Sequence, residues 1–499
     1  MKTLGIDIGS SSVKAAVLDT ETGECIAAHT SPPTELPIDA PHPGWAEQAP
    51  DMWWEHVSIC LGEIFRSGKV QAKEIAAIGI TYQMHGLVAL DADGKPLRPS
   101  IIWCDSRAVC IGEKALQEIG PDKCLNQLLN SPGNFTASKL AWVKANEPGV
   151  FSEVKTFMLP GDYILYKLSG EKSTTESGLS EQILWDFSQN GYADLVGDYY
   201  GIPKEWVPPV LPNIGIQAET DAETERIFGI KKGTPISFRA GDQPNNAFSL
   251  NVMEPGEIAA TGGTSGVVYG VTDQRKADPQ SRVNTFLHVN HSAADPRYGV
   301  LLCINGTGIL NAWMKRLAAV DFTYDQVNEL SASAPAGSDG VVMLPFGNGA
   351  ERMLCNSYTG ATMAQVDLNR HTKAHVLRAT QEGIAFAFRY GMDIMKSIGV
   401  NTSLIRAGKA NLFLSPLFRE TLATIADAKI ELYNTDGSLG AARGAALGAG
   451  IYKNREEAFA SLKKLEEINP NPAIKSALDE AYEGWKHELK KQLEKACNA

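Results

Sequence analysis

Two aspartates stand where proton and phosphate chemistry are both within reach. Asp242 lies in Gly241-Asp242-Gln243-Pro244, just after the apolar run 236–238, and is followed at 258–272 by an apolar hairpin whose turn reads Thr261-Gly262-Gly263-Thr264-Ser265-Gly266. Asp7 lies in a second apolar run, 3–8, ahead of Gly9-Ser10-Ser11-Ser12 and an alternating segment, 13–18. A positioned carboxylate accepts the proton of an alcohol, and turns rich in glycine and hydroxyls offer successive N–H and O–H groups to phosphate. These residue types predict phosphoryl transfer to an alcohol. Asp242 takes the proton; Ser10, Ser11, Ser12, Thr264 and Ser265 hold phosphate oxygens; Mg²⁺ near Asp7 neutralises the moving group and keeps waters, because few carboxylates are on offer. Read alone, Gly-Asp-Gln-Pro suits a helix cap equally well, and the first turn suits a plain surface hairpin.

Three further segments carry polar groups on strand ends. Residues 75–80 form a buried-strand candidate that runs into Thr81-Tyr82-Gln83-Met84-His85-Gly86, a pattern that presents side chains to a cleft. Residues 101–107, reading Ile-Ile-Trp-Cys-Asp-Ser-Arg, put Trp103, Asp105 and Arg107 either on a sugar-facing rim or in an internal salt bridge that closes a loop. Arg406-Ala407-Gly408-Lys409-Ala410-Asn411 opens a turn before a helix. His288 with His291, and His371 with His375, lack the carboxylates a metal pair needs; His371-Thr-Lys-Ala-His375 is missing the glutamate of His-Glu-x-x-His. Neither the phosphate-loop signature Gly-x-x-x-x-Gly-Lys-Ser/Thr nor the dinucleotide signature Gly-x-Gly-x-x-Gly is present.

The elements that must position these residues follow from periodicity. Runs 3–8 and 13–18 read as one hairpin, 258–272 as another, and two such hairpins opening two halves suggest a duplicated α/β domain with a cleft between the copies. Asp51 reads as the cap of an amphipathic helix 52–66, and 158–168 as a further helix that Pro160 and Asp162 open. Residues 171–186 read as strand and turn, 372–397 as a long amphipathic helix, 405–426 as turn and helix, and 456–499 as a charged helical tail broken at Pro470-Asn471-Pro472.

Composition excludes several classes. The net charge of −12, without a Lys/Arg block, argues against a nucleic-acid surface. The early Asp7 interrupts any signal-like segment and no run reaches spanning length, so a cytoplasmic protein without a membrane partner is expected. Eight scattered cysteines without a Cys-x-x-Cys pair support neither a zinc nor a redox site.

Over roughly residues 2–450 the chain resembles the FGGY family of carbohydrate kinases. Asp7-Ile8-Gly9 resembles the family's first phosphate segment and its metal-associated acid. Gly241-Asp242-Gln243 with Gly263-Thr264-Ser265-Gly266 resembles its catalytic aspartate and second phosphate segment. Gln83-Met84-His85-Gly86 is similar to the segment that pentulose-specific members place at the sugar, and Trp103, Asp105 and Arg107 resemble the Trp-x-Asp-x-Arg segment. The resemblance implies two ribonuclease-H-like (actin/hexokinase/Hsp70-type) α/β domains around a central cleft. It implies a sugar side at 1–245, a nucleotide side at 246–455 and an appendage at 456–499.

It further implies ATP and Mg²⁺ as cofactors and phosphorylation of D-xylulose at its C5 hydroxyl, with Asp242 as base. Gln83, Met84, His85, Trp103, Asp105, Asp242 and Gln243 would contact sugar. Gly263, Gly408 and Asn411 would join the serines and threonine at the nucleotide. Where the family has a glycine-rich run near adenine, this chain has Arg406-Ala407-Gly408-Lys409-Ala410-Asn411. Glycerol kinases carry arginine and glutamate where this chain has Met84 and His85, so glycerol fits less well. Kinases of ribulose or rhamnulose, and a nonenzymatic ATP-driven clamp, are the alternatives; many relatives are dimers, so a homodimer stays open.

Overall fold

The computed structural model describes residues 1–497, and the chain divides into two compact units, each assembled from separated stretches. The first comprises Met1–Met253, Phe286–Tyr298 and Thr435–Leu462; the second comprises Glu254–Thr285, Gly299–Asn434 and the chain from Lys463 onward. Both are α/β, with mixed sheets and helices.

The first unit is built on β1 (Lys2–Ile8), β2 (Val13–Asp19), β3 (Cys25–Ser31), β4 (Ile75–Tyr82), β5 (Ile214–Glu219) and β6 (Pro235–Gly241), in the sheet order β5-β6-β4-β1-β2-β3. β1 pairs antiparallel with β2 as a hairpin, whereas β1, β4 and β6 are parallel neighbours. Ile8 and Gly241 both stand opposite Tyr82, so the carboxyl ends of three adjacent strands finish level with one another. Asp7, Gln83 and Asp242 therefore leave the sheet at one edge.

Strand alternation sends the two faces of β1 to different partners. Leu4, Ile6 and Ile8 join the apolar core that includes Trp53, Val57 and Leu61 of helix Pro50–Arg66 and Ile164 and Leu165 of helix Pro160–Ser169. Thr3, Gly5 and Asp7 face helix Gly437–Gly448 instead. Eight of that helix's twelve residues are glycine or alanine, and it lies close enough that a Cβ on Gly5 would collide with the Ser438 carbonyl and one on Gly79 with the Ala441 carbonyl. Strand hydroxyls fasten it: Thr3 Oγ1 donates to Ala442 O and Ser237 Oγ to Ala445 O, both at 2.8 Å.

A second sheet, drawn mainly from the second unit, repeats the plan with β7 (Glu257–Gly262), β8 (Gly266–Thr272), β9 (Asn284–Leu287), β10 (Tyr298–Ile304), β11 (Leu404–Gly408), β12 (Lys429–Tyr433) and β13 (Lys464–Ile468), in the order β9-β10-β8-β7-β11-β12-β13. β7 and β8 form the hairpin, and β7, β11 and β12 run parallel. Helix Lys373–Ser397 buries Ile384 and Phe388 in this core, as its periodicity predicts.

Several local expectations change. Residues 404–408 are a central strand, because Ile405 and Ala407 are buried between two parallel neighbours. Ala49, not Asp51, precedes the first helix, and the Asp51 carboxylate accepts from the Tyr163 hydroxyl at 2.6 Å. Within 171–186 lies a buried helix, Glu176–Glu181. The 456–499 tail is no appendage: β13 pairs with β12, and Trp485 is buried with its indole N–H donating to Met343 O at 3.0 Å.

Candidate active site

Asp7 and Asp242 share the level edge of the first sheet. Asp242 is the first residue of helix Asp242–Ser249, and the capping position ahead of it is taken by Gly241. Loss of hydration pushes its carboxyl up from 3.8 to about 6, against hydrogen bonds from the side chain and backbone of Gln243. Loss of hydration raises Asp7 to about 7, followed by the Asp242 charge; Lys14 opposes and Asp436 adds. Gly437 makes room for Asp7, since a Cβ on Gly437 would collide with Asp7 Oδ2. Asn245 Nδ2 donates to Gly437 O at 2.9 Å and ties the Asp242 helix to that glycine.

The serine turn is held rather than free. Gly9 N donates to Ser12 O at 3.0 Å, Leu36 N to Ser11 O at 2.7 Å, and Gln48 Nε2 to Ser10 O at 2.7 Å. Ser10 Oγ accepts from the Trp103 indole N–H at 3.2 Å, and that ring is 54 % exposed. Trp103 thus stands over the turn as an open aromatic face.

The Gln-Met-His-Gly segment continues β4 at the same edge. Gln83 N donates to Ile8 O at 2.7 Å and its Nε2 to Gln48 Oε1 at 3.1 Å. Met84 is buried beneath Gly241, where a Cβ would come within 2.6 Å of Met84 Cγ. His85 is left-handed, with φ 63°, a conformation that needs outside support in a residue with a side chain. Lys139 Nζ, fully buried, donates to His85 O at 2.8 Å and to Ile102 O at 3.0 Å, so one side chain joins the His85 and Trp103 segments. His85 Nδ1 donates to Glu181 O at 2.9 Å, while Phe135 and Phe286 flank the ring.

Asp105 is placed differently from the substrate role expected of it. It is fully buried, accepts from Ala46 N at 2.6 Å and pairs with Arg107 at 2.6 Å, and Arg107 stacks on Trp45. The internal salt bridge describes it; both carboxylate oxygens are occupied by these partners.

In the second unit, Gly263 and Thr264 line a cavity of about 540 Å³ together with Gly308, Tyr324, Asn328 and Asn411. The turn is braced from behind: Gly308 N donates to Gly263 O at 3.0 Å, Ile309 N to Thr264 O at 3.1 Å, and Thr307 Oγ1 to both carbonyls at 3.2 Å. Ser265 Oγ reaches Asn305 O at 3.5 Å. Asn411 is in this wall, but Gly408 is not; it ends β11 and its carbonyl accepts from Ala410 N at 2.8 Å. Arg406 is taken up by Glu257 and Glu431 at 3.0 and 3.1 Å. Gly308 follows an Asn305-Gly306-Thr307 turn that is visible in the sequence, whereas Tyr324 and Asn328 stand on a separate helix, Tyr324–Ala332, that carries no motif.

Two of the histidines noted in the sequence serve local structure. His288 is fully buried, with Nε2 bonded to Val252 O at 3.0 Å, and His375 caps its own helix through Thr372. Among the described residues no three His, Cys, Asp or Glu side chains converge to hold a metal, and no helix is long and apolar enough to cross a membrane.

Two α/β units, each opening on a hairpin, with a paired-aspartate edge in the first and a turn-lined cavity in the second, define a phosphotransferase of the sugar-kinase class. Family models for the FGGY carbohydrate kinases match the chain at residues 2–249 (N-terminal domain) and 258–451 (C-terminal domain). The chain belongs to the FGGY family of carbohydrate kinases, and it is an ATP-binding enzyme that phosphorylates an alcohol group. It is similar to the xylulose kinase of Escherichia coli K12, 28% identical over 464 residues that span 92% of each chain. It is also similar to the L-xylulose/3-keto-L-gulonate kinase of the same organism, 28% identical and covering 97% of this chain and 96% of that one. Among solved structures, the xylulose kinase of Rhodospirillum rubrum superposes with a TM-score of 0.87 at 25% identity, over 98% of this chain and 99% of that one.

Proposed function

We propose that the protein transfers the γ-phosphoryl group of ATP to the C5 hydroxyl of D-xylulose, giving D-xylulose 5-phosphate and ADP. The observation that carries this reading is the level edge of β1, β4 and β6, where Asp7, Met84-His85 and Asp242 emerge side by side. The similarity to xylulose kinases over nearly the whole chain supports the choice of sugar.

In this reading residues 1–245 hold the sugar and 246–455 the nucleotide. Asp242, at a helix start, accepts the proton of the C5 hydroxyl as the new P–O bond forms; placement matters more than basicity, because the alcohol turns acidic only late in the step. Trp103 and His85 orient the sugar, with His85 fixed by Lys139 and the Glu181 carbonyl. Gln83 and Gln243 each bring an oxygen that lacks a hydrogen-bond partner among the described residues, which suits contact with hydroxyls. Ser10, Ser11 and Ser12 in the first unit, and Gly263, Thr264 and Ser265 in the second, address phosphate. Asn411, Tyr324 and Asn328 line the cavity that suits the rest of the nucleotide. Asp7 would hold Mg²⁺, with Asp242 and Asp436 adding negative field. When bound, the ion neutralises phosphate charge.

The test is ADP release with MgATP across D-xylulose, L-xylulose, D- and L-ribulose, L-rhamnulose, gluconate and glycerol. A high kcat/KM for D-xylulose supports the reading. Preference for another ketose keeps the kinase and overturns the sugar, and silence on every sugar overturns both.

A further inference from the structure

Glu181 is a group the reaction as described does not use, and its surroundings call for a partner. It ends the short helix Glu176–Glu181, which Thr175 opens by accepting Gly178 N at 3.0 Å, and it is 1 % exposed. The side chain is wedged under the catalytic edge: a Cβ on Gly241, the residue before Asp242, would lie 2.9 Å from Glu181 Oε2 and 2.6 Å from Met84 Cγ. The carbonyl of the same residue holds the His85 ring. The Glu181 side chain thus lies beside Gly241, and its backbone carbonyl holds His85.

The buried Glu181 carboxyl has the Tyr82 hydroxyl as its one polar side-chain neighbour, which leaves hydrogen-bonding capacity on the carboxyl unused, and Gln83 Oε1 and Gln243 Oε1 are buried without a partner among the described residues. The nearby cations are already engaged: Arg239 pairs with Asp162 at 3.0 Å, and Lys139 donates to two backbone carbonyls. Loss of hydration holds the Glu181 carboxyl well above its ordinary range, the Tyr82 hydroxyl opposes, and the charges of Asp242 and Asp162 add to the rise. A protonated carboxyl offers one donor and one acceptor, the complement of a sugar hydroxyl. A polar group left unmatched in the interior is costly, and a bound polyol supplies what the protein withholds.

We infer that the Glu181 side chain is a specificity-determining group of the sugar site and forms hydrogen bonds with hydroxyls of the polyhydroxylated substrate. This rests on the reading of the Met84–Asp242 edge as the sugar site. A site whose buried polar atoms await hydroxyls rejects sugars that lack or misplace them, so the identity of residue 181 sets the ranking of ketoses.

The experiment is steady-state kinetics of wild type, Glu181→Gln and Glu181→Ala over the sugar panel, with melting temperatures alongside. Glu181→Gln keeps the shape and a hydrogen-bonding head, so it carries the test if Glu181→Ala does not fold. Expected is a rise of about tenfold or more in KM for the preferred ketose and a changed order of sugars, with kcat and KM for ATP within about threefold. Wild-type turnover with sugar KM and ranking unchanged in the folded variants overturns the Glu181 role and leaves the kinase reading standing. A loss of melting temperature and kcat together, without a change in ranking, assigns Glu181 to structure alone. Wild type silent on every sugar overturns the inference with the reading beneath it.

Discussion

Asp242 and Asp7 sit a strand apart in the sheet yet answer to different demands. Asp242 must be deprotonated to accept the sugar proton, and with its carboxyl near 6, kcat/KM for sugar should fall about tenfold per unit as pH drops below that value. Asp242→Asn should lower kcat by about 10²- to 10⁴-fold while sugar binding by calorimetry stays close to wild type; near-normal turnover would remove it from the base role. Asp7, raised from 3.8 to about 7, binds its proton more tightly folded than unfolded. Its contribution to stability is present at low pH and is lost as pH rises through that window, because the folded state must then carry a poorly hydrated charge. Thermal melts should accordingly show Asp7→Asn gaining on wild type as pH increases, and Mg²⁺ should restore stability to wild type but not to the variant.

At the scale of elements, glycines let backbones approach closely behind both candidate site segments. Helix Gly437–Gly448 can touch β1 and β4 only because Gly5 and Gly79 lack a Cβ. Gly5→Val should cost about 1–3 kcal/mol by overpacking, read as a lower denaturation midpoint. In the second unit the phosphate turn β7–β8 leans on the start of helix Gly308–Ala318, where a Cβ on Gly308 would collide with Gly263 O. Gly308→Ala should therefore raise KM for ATP several-fold and leave sugar KM unchanged. Equal losses for both substrates would show that the turn does not hold the nucleotide.

For the whole molecule, the telling fact is that sequence order and spatial units differ. Residues 435–462 return to the first unit, and the chain from Lys463 completes the second. Helix Pro472–Cys497 buries Leu478 and Trp485 with Phe346 and Phe386. Trp485→Ala should cost about 3–5 kcal/mol, and removal of residues 472–499 should abolish the cooperative melt of the second unit and ATP-dependent protection with it. A truncated protein that melts normally and binds ATP would return this segment to the status of an appendage.

The sequence by itself determined the two hairpins, the strands at 75–80 and 236–238, the long helix read at 372–397 and the placement of Asp7, Gln83-Met84-His85 and Asp242 at strand ends. All of these are written in local periodicity and in glycine- and hydroxyl-rich turns, which report which face of an element is buried and where the chain reverses. Tertiary structure alone decided that Asp105 is consumed by Arg107 and Ala46 N, that Gly408 stands outside the cavity Asn411 enters, that Lys139 and Glu181 fix His85, and that the tail belongs to a core. The reason is physical. The partner of a buried charge, the donor to a carbonyl and the backbone that abuts a glycine lie tens to hundreds of residues away in the chain, so no local pattern records them until the fold brings them within bonding distance.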